Sequence, residues 1–260
     1  MRGIENISNK KIVLTGASSG LGEMFAREIK RVFPEIDEIW AVARRIDRLE
    51  KLKNDIKDVK IVPVPCDITD ANAVDALFEK VKSEKCEIML LVNNAGCGFL
   101  GAFDKSELNE QERCMNLNIV AMTSFTRKAL DYMPKGARIL VVSSIASFVP
   151  NANMAVYSAS KAYATFFSRA LNEELSSSLR TSTAVCPAPM KTEFLTVGHV
   201  AGNSKTFEML PYCDVKKVAI GALKACRKGK SVYTPRAFYK FYRFITRLLP
   251  DRLLIKMAKT

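Results

Sequence analysis

The chain has 260 residues, 48% of them hydrophobic, and a formal net charge of +13 at pH 7. This composition is ordinary for a globular protein with a sizeable core, and it excludes the disordered and fibrous classes. No low-complexity tract, solenoid-type repeat or linker divides the sequence, so we expect one domain over residues 1–260. The positive charge indicates an anionic partner without saying which one.

Cysteine and histidine content excludes further kinds of site. The seven cysteines include no C-x-x-C pair, so neither a zinc site nor a disulfide framework is predicted, and reduced thiols favour a cytoplasmic protein. The single histidine, His199, has no second ligand nearby, and we predict no metal. No stretch approaches about 18 apolar residues, which argues against a spanning helix, and residues 1–11 carry no apolar run of signal-peptide length.

Short apolar runs alternate with amphipathic segments along the chain. In chain order, strands are predicted at residues 11–15, 38–43, 60–64, 88–93, 138–143, 181–186 and 231–234, and helices at 21–33, 48–57, 72–83, 110–132, 156–179 and 214–228. Such alternation predicts a mostly parallel, seven-stranded sheet with helices on both faces, which is a doubly wound α/β fold.

A glycine-rich segment joins the first predicted strand to the first predicted helix. It reads Thr15-Gly16-Ala17-Ser18-Ser19-Gly20-Leu21-Gly22. Glycines let the backbone approach a pyrophosphate, and free N–H groups at a helix N-terminus favour an anion. The segment predicts a dinucleotide site; the alternative is a tight turn without a ligand.

Polar motifs recur at or soon after the ends of later strands. Asn93-Asn94-Ala95-Gly96 ends the fourth strand, Ser143-Ser144 ends the fifth, and Asn118 and the pair Tyr157 and Lys161 lie on helices. In this order and spacing, the motifs resemble the classical short-chain dehydrogenase/reductase family, with the resemblance covering residues 8–234. It implies a single Rossmann domain and an oxidoreductase that uses a nicotinamide dinucleotide.

Tyr157 and Lys161 lie one helical turn apart, a spacing that is a weak signal alone. Hydride transfer to a carbonyl leaves an alkoxide that needs a proton, and a tyrosine donates one if a nearby charge stabilises its phenolate. The resemblance implies that Tyr157 is the general acid/base, that Lys161 is its charged partner and holds the cofactor ribose, and that Ser144 bonds the substrate oxygen. It further implies that Asn118 holds a proton-relaying water, with Asn116 as the alternative. A serine nucleophile is poorly supported because no G-x-S-x-G surrounds Ser144.

The second predicted strand ends in Ala43-Arg44-Arg45, where an acidic residue would select a ribose 2′-hydroxyl. Guanidinium groups suit a 2′-phosphate instead, so NADP is predicted; the alternative is that the arginines only face solvent. In addition to Arg44 and Arg45, the resemblance implies the following cofactor-binding residues: Gly16, Ser18, Ser19, Gly20, Leu21, Gly22, Asp67, Ile68, Asn93, Ala95, Gly96, Tyr157, Lys161, Pro187 and Thr192. Asn94 is interpreted as a structural tie. Ala188 stands where relatives usually have glycine, and we expect an ordinary backbone angle there.

Apolar residues dominate the segment that covers the substrate in similar enzymes. They are Met190, Phe194, Leu195, Val197, Phe207, Met209 and Leu210, together with Phe99, Leu100, Val149 and Met154. They favour a hydrophobic ketone or secondary alcohol, such as a steroid or fatty-chain oxo compound, although plain packing also explains each of them. The resemblance implies a homo-oligomer, and we expect no nucleic-acid partner. A short-chain fold that has lost catalysis and acts as a cofactor-sensing or binding module stays open.

The C-terminal extension, residues 235–260, carries seven basic residues and one acid. Apolar residues recur at spacings of three and four, which predicts a basic amphipathic helix, broken near Pro250. Three roles stay open: packing on its own domain over the substrate mouth, contact with a second subunit, or peripheral contact with an anionic membrane surface.

Overall fold

The computed structural model of the protein describes residues 10–200, 202–204 and 208–257. Seven strands form one sheet: β1 (Lys10–Thr15), β2 (Glu38–Ala43), β3 (Lys60–Pro65), β4 (Glu87–Asn93), β5 (Arg138–Val142), β6 (Thr181–Val185) and β7 (Val232–Tyr233). Their order is β3-β2-β1-β4-β5-β6-β7, and every neighbouring pair is parallel. The predicted parallel sheet is confirmed.

Helices fill the connections between strands. They are α1 (Gly20–Val32), α2 (Ile46–Asp55), α3 (Ala71–Ser83), α4 (Leu108–Met115), α5 (Met122–Leu130), α6 (Ala155–Glu174), α7 (Glu193–Val197), α8 (Val215–Arg227), α9 (Ala237–Ile245) and α10 (Asp251–Met257). The helix predicted over 156–179 ends earlier, because a 3₁₀ turn at Ser176–Ser178 leads into Leu179, whose φ of +56° is left-handed.

The hydrophobic core lies on both faces of the sheet. Successive side chains of a strand point to opposite faces. Ile12 and Leu14 of β1 therefore pack in one buried cluster with Phe25 of α1, whereas Val13 packs in a second cluster with Phe125 of α5. The fold is doubly wound, as predicted.

The strand order reverses direction between β1 and β4. Chains leaving these two strands turn to opposite faces, which opens a crevice beyond their carboxyl ends. Thr15 and Asn93 are the last residues of the two strands. The glycine-rich segment and the Asn-Asn-Ala-Gly segment therefore meet at this crevice.

The helix predicted over 110–132 is interrupted. A π-helical turn at Asn116–Ala121 separates α4 from α5. The widened turn lets Asn118 bond the loop after β4: its Oδ1 accepts from the Cys97 N–H at 3.0 Å, and its Nδ2 donates to the Cys97 carbonyl at 2.8 Å. These bonds offset the regular helical bonds that the bulge gives up.

The C-terminal extension forms two helices, with the break near Pro250 that the sequence predicts. α9 ends at Ile245, and α10 begins directly after Pro250. Tyr239 of α9 is 1% exposed and its hydroxyl donates to the Pro211 carbonyl at 2.8 Å, while Leu254 of α10 is also buried. One side of the extension therefore packs on its own domain. Across the described segments, no helix is both long enough and apolar enough to cross a membrane.

Candidate active site

The loop between β1 and α1 requires glycine at two positions. Gly16 has a left-handed φ of +66°, and a Cβ there would lie 2.8 Å from the Asn94 Nδ2. At Gly22, a Cβ would lie 2.1 Å from the Gly16 carbonyl oxygen. The first turn of α1 is thereby held against the loop, with its backbone N–H groups directed at the crevice.

Asn94 ties this loop to β4. Its Nδ2 donates to the carbonyls of Thr15 and Gly16, both at 3.1 Å, and its own N–H donates to the Thr15 Oγ1 at 3.1 Å. The structural role predicted for Asn94 is confirmed, and the side chain also borders the crevice.

A cleft of about 890 Å³ runs from the glycine loop to the C-terminal helices. Sixteen of the predicted catalytic and cofactor-binding residues line it: Gly16, Ser18, Ser19, Gly20, Leu21, Arg44, Arg45, Asp67, Ile68, Ala95, Gly96, Ser144, Tyr157, Lys161, Pro187 and Thr192. Three others do not line it. Gly22 packs under the loop, Asn93 points its Nδ2 at Thr126 Oγ1 2.8 Å away, and Asn118 lies buried behind the cleft wall.

Arg45 is held on the floor of the cleft by hydroxyl groups of the glycine loop. Its Nη2 donates to the Oγ atoms of Ser18 at 3.1 Å and Ser19 at 3.0 Å, and its Nη1 pairs with Glu193 at 3.0 Å. Arg48 also pairs with Glu193 but does not line the cleft. These bonds orient the arginine at the glycine loop.

Arg44 is the more exposed of the two arginines. Its Nη1 lies 3.6 Å from the Asp67 Oδ2. Burial opposes ionisation of Asp67, but hydrogen bonds from Thr69 and the charge of Arg44 outweigh it and hold the Asp67 pKa below its usual range. A loose ion pair at this mouth leaves the guanidinium free to turn to another anion.

Tyr157, Lys161 and Ser144 converge on the middle of the cleft. Tyr157 and Lys161 are one turn apart on α6, and the Lys161 Nζ lies 5.8 Å from the Tyr157 ring centre. The Nζ also donates to the Val142 carbonyl at the end of β5 at 3.0 Å, next to Ser144. Ser143 turns away: its Oγ donates to the Lys161 carbonyl at 2.7 Å. The alternation at the end of β5 is as predicted.

Burial dominates the ionisation of the tyrosine and the lysine. Removal from water raises the pKa of Tyr157 to about 12, although a hydrogen bond with Ser144 lowers it in part. Burial also lowers the pKa of Lys161, against the partial opposition of the Cys114, Cys97 and Cys186 thiols. Burial therefore dominates the pKa of both groups, since each loses the water that would solvate its charged form.

Asn118 and Lys161 both lie close to Gly96. A Cβ at Gly96 would lie 3.0 Å from the Asn118 Oδ1 and 3.2 Å from the Lys161 Nζ. The Asn118 Nδ2 also donates to the Ser160 Oγ at 2.9 Å. The two side chains therefore approach the same glycine, and Asn116 makes none of these side-chain bonds within the described residues.

Gly98 is a site residue that the motifs did not identify. A Cβ at Gly98 would lie 2.2 Å from the Tyr157 Cδ2, so the tyrosine ring occupies space that only glycine leaves open. The sequence signal was its place two residues after the Asn-Asn-Ala-Gly segment. Ala188, by contrast, fills its glycine-like position with a negative φ, as expected.

The far half of the cleft is apolar. Of the predicted pocket residues, Met154, Met190, Phe194, Leu195, Val197 and Leu210 line it. Phe99, Leu100, Val149 and Met209 do not, and Phe207 lies outside the described residues. The C-terminal helices complete the lining with Phe238, Tyr239, Tyr242, Ile245 and Leu254. Sequence periodicity marked the apolar residues of this extension but not which of them turn inward.

Comparison with known proteins agrees with this arrangement. The model of the family described as short chain dehydrogenase matches residues 10–199. An NADP-dependent 3-hydroxy acid dehydrogenase of Schizosaccharomyces pombe is 30% identical over 201 residues, covering 75% of this chain and 76% of that protein. A fatty acyl-CoA reductase of Acinetobacter baylyi is 33% identical over 177 residues, covering 66% of this chain and 59% of that protein.

A solved structure is also similar. A short-chain dehydrogenase from Sphingobium yanoikuyae in complex with NADPH superposes with a TM-score of 0.78 at 25% identity, covering 92% of this chain and 93% of that one. The chain spans about six tenths of the length of two curated relatives that it matches, the Acinetobacter protein among them.

Proposed function

Because the chain belongs to the short-chain dehydrogenase/reductase family, we propose that it transfers a hydride between NADP(H) and a hydrophobic ketone or secondary alcohol. The observation that carries the proposal is the convergence of Ser144, Tyr157 and Lys161 on a cleft that also contains the glycine loop. The proton donor, its charged partner and the loop that would bind the dinucleotide therefore lie in one cleft.

The loop residues fit a dinucleotide. Positive φ angles at Gly16 and Gly20, and the absence of room for a Cβ at Gly16 and Gly22, bring bare backbone to the N-terminus of α1. This geometry suits a pyrophosphate. When bound, the cofactor supplies the hydride. Thr192, whose methyl faces Gly20, and Pro187 border the expected nicotinamide end.

The arginines support NADP over NAD. Arg44 and Arg45 line the cleft beside Ser18, and the nearest carboxylates, Asp67 and Glu193, already pair with them. On binding a 2′-phosphate, the two arginines would exchange their weak, solvent-screened ion pairs for charge-assisted bonds to a dianion. The similar S. pombe dehydrogenase is named as NADP-dependent, and the similar Sphingobium structure holds NADPH.

Tyr157 carries the proton in the proposed reaction. With a pKa near 12 it is protonated at neutral pH, which suits a donor to the oxygen of a carbonyl under reduction. Ser144 orients that oxygen and shares a hydrogen bond with the phenol. The Lys161 Nζ lies close enough to the ring to stabilise the phenolate as the proton leaves. Asn118, which lies near the same glycine as Lys161, holds the water that relays protons to the lysine.

The apolar half of the cleft sets the substrate class. Met190, Phe194, Leu210 and Tyr242 present hydrocarbon and ring surface, and Tyr157 packs against Phe194 with ring centres 5.6 Å apart. Burial of apolar surface favours a hydrophobic carbonyl compound over a charged one. A steroid-like or fatty-chain oxo compound has the apolar character of this half of the cleft.

In this proposal residues 1–260 form one domain, and the protein assembles as a homo-oligomer. Val120 in the π-helical turn and Phe166 of α6 leave large apolar side chains exposed, which supports self-association. A cytoplasmic location stays a prediction from the sequence.

Oxidation of NADPH in the presence of a panel of hydrophobic ketones, compared with NADH, tests the function. Turnover with an apolar ketone and with NADPH preferred is the expected result. Tight NADPH binding, measured by quenching of tryptophan fluorescence or calorimetry, without turnover of any ketone or alcohol would instead favour the binding-module alternative.

A further inference from the structure

α9 and α10 leave an apolar surface uncovered. Four side chains of α9 and the turn after it, Phe238, Phe241, Phe244 and Leu248, are each more than half exposed, between 54% and 63%. Their spacings of three and four place them along one side of the helix. α10 adds the exposed Leu253 and Ile255. These six residues are called the outer apolar face below.

The outer apolar face is distinct from the side that packs on the protein. Tyr239 is buried and bonded to the Pro211 carbonyl, and Tyr242 and Ile245 line the cleft from the same helix. The Tyr242 ring also lies 6.4 Å from that of Phe148. The domain therefore fixes the inner side of α9. On the outer side, the Phe238 ring lies 5.0 Å from that of Tyr239, whereas Phe241 and Phe244 make no ring contact among the described residues.

Cations flank the outer apolar face. Lys240, Arg247, Arg252 and Lys256 are exposed, and no described carboxylate lies within ion-pair distance of any of them. Between Arg236 and Met257 the sequence has a single acid, Asp251. A symmetric contact with a second copy would press these cations together, which is unfavourable.

An anionic lipid surface matches both features. Phenylalanine and leucine side chains insert at the boundary between headgroups and acyl chains, while lysine and arginine remain among the phosphates. Lysine and arginine near such a surface each contribute measurably to binding. The arrangement is that of a helix lying in the plane of a membrane surface.

The same face is continuous with the mouth of the cleft. Phe238 is 54% exposed and also lines the cleft, and Leu254 of α10 lines it from within. A surface that rests on lipid through Phe238 and Phe241 therefore brings the apolar half of the cleft to the lipid boundary.

We propose that the outer apolar face and its flanking cations bind an anionic membrane surface and turn the mouth of the cleft toward the lipid. Membrane binding by this face does not depend on turnover. Resting on the proposed function, it follows that the substrate is a lipid-soluble carbonyl compound or alcohol that enters from the membrane rather than from water.

Flotation with vesicles tests the binding directly on the full-length protein. Vesicles of phosphatidylcholine with phosphatidylglycerol are compared with vesicles of phosphatidylcholine alone. The wild-type protein is expected to float with the anionic vesicles and to be released by salt. The variant Phe241→Ser/Phe244→Ser is expected to bind at least about tenfold more weakly, because each exposed ring loses its insertion. The variant Lys240→Gln/Arg247→Gln, which removes two charges, should lower the affinity for anionic vesicles by about fivefold per charge, or about 25-fold together.

Phe103→Ser is the matched control, since it removes an equally exposed ring from the 3₁₀ turn at Phe103–Lys105, outside the extension. Circular dichroism checks that every variant is folded, and turnover of a water-soluble ketone is expected to stay unchanged because Phe241 and Phe244 do not line the cleft. Equal binding of wild-type and Phe241→Ser/Phe244→Ser protein, or no binding to anionic vesicles, overturns the proposal. So does a shift of the wild-type protein, but not this variant, to a larger assembly without vesicle binding, which identifies a second copy as the occupant.

Substrate entry is tested separately with one apolar ketone presented in vesicles or in detergent-free buffer. The Phe241→Ser/Phe244→Ser variant should lose turnover only for the vesicle-borne ketone. Loss of neither activity despite lost vesicle binding overturns the entry route while leaving the membrane contact standing, and absence of all turnover in the wild type concerns the proposed function instead.

Discussion

Gly98 leaves the space that the Tyr157 ring occupies, since a Cβ at Gly98 would lie 2.2 Å from the Tyr157 Cδ2. The loop after β4 therefore sets the position of a side chain on α6. Gly98→Ala should displace the ring and lower kcat by about tenfold or more, because a misplaced reacting group is costly. Steady-state kinetics measure this. Gly101→Ala is the control, since its Cβ would meet only the rotatable Ser106 Oγ at 3.0 Å, and similar losses in both variants would contradict a specific role for Gly98.

Tyr157→Phe removes the proton donor and keeps the ring. Turnover should fall by about 10²- to 10⁴-fold, the range of general acid catalysis, with cofactor affinity nearly unchanged. Kinetics and cofactor titration by fluorescence measure the two effects. Tyr163→Phe on the same helix removes a hydroxyl that bonds only Thr123 in the described structure, and it should leave both unchanged. A Tyr157→Phe enzyme with a sizeable fraction of wild-type rate would show that another group donates the proton.

Arg44→Ala should reduce the preference for NADPH over NADH. We expect the wild-type protein to favour NADPH by about tenfold to a hundredfold, as one or two charge-assisted contacts to a phosphate provide. The ratio of kcat/KM for the two cofactors is the measurement. Arg127→Ala is the control because Arg127 pairs with Asp131 at the end of α5 and does not line the cleft. An unchanged ratio in Arg44→Ala would place the 2′-phosphate elsewhere.

Tyr239→Ala should destabilise the protein by about 3 kcal/mol, because a buried ring is replaced by a cavity. A chain truncated after Thr234 should be destabilised further or fail to fold, since the inner side of α9 and Leu254 are buried. Urea denaturation measures the free energy of unfolding. Phe241→Ala, at an exposed position, is expected to change it by no more than about 0.5 kcal/mol. A stable truncated chain with unchanged unfolding would show that the extension does not support the domain.

Glu38→Gln should lower the free energy of unfolding only above acidic pH. Although burial opposes it, hydrogen bonds from Lys11, Lys60 and Trp40 lower the Glu38 pKa to about 2 from 4.5. A lowered pKa in the folded state means that the stabilisation is present above pH 4.5 and lost as pH falls toward 2. Allowing for solvent screening, we expect a wild-type advantage of about 2 kcal/mol at pH 7.

The measurement is urea unfolding of wild-type and Glu38→Gln protein across this pH range. The two free energies of unfolding should converge as pH approaches 2. Glu87→Gln, at the exposed start of β4, is the control and should show no such convergence. A wild-type advantage that is constant from pH 7 to pH 3 would contradict the shifted pKa.

Local sequence determined the architecture. Alternating apolar runs and amphipathic segments specify a parallel sheet because a strand buried on both faces must be apolar throughout, and β1, β2 and β4 follow this pattern. The sequence also identified the glycine loop, since Gly16 and Gly22 stand where only glycine fits. Tyr157 and Lys161 were found because one helical turn fixes their relation.

Tertiary structure decided what depends on contacts between distant segments. The π-helical turn at Asn118 exists because the asparagine bonds Cys97, twenty-one residues away, and no local propensity marks it. The raised pKa of Tyr157 follows from burial by surrounding elements, which outweighs the hydrogen bond with Ser144. The C-terminal helices divide their apolar residues between the cleft, through Tyr242, and the exterior, through Phe241, and periodicity groups these residues without saying which side meets the domain.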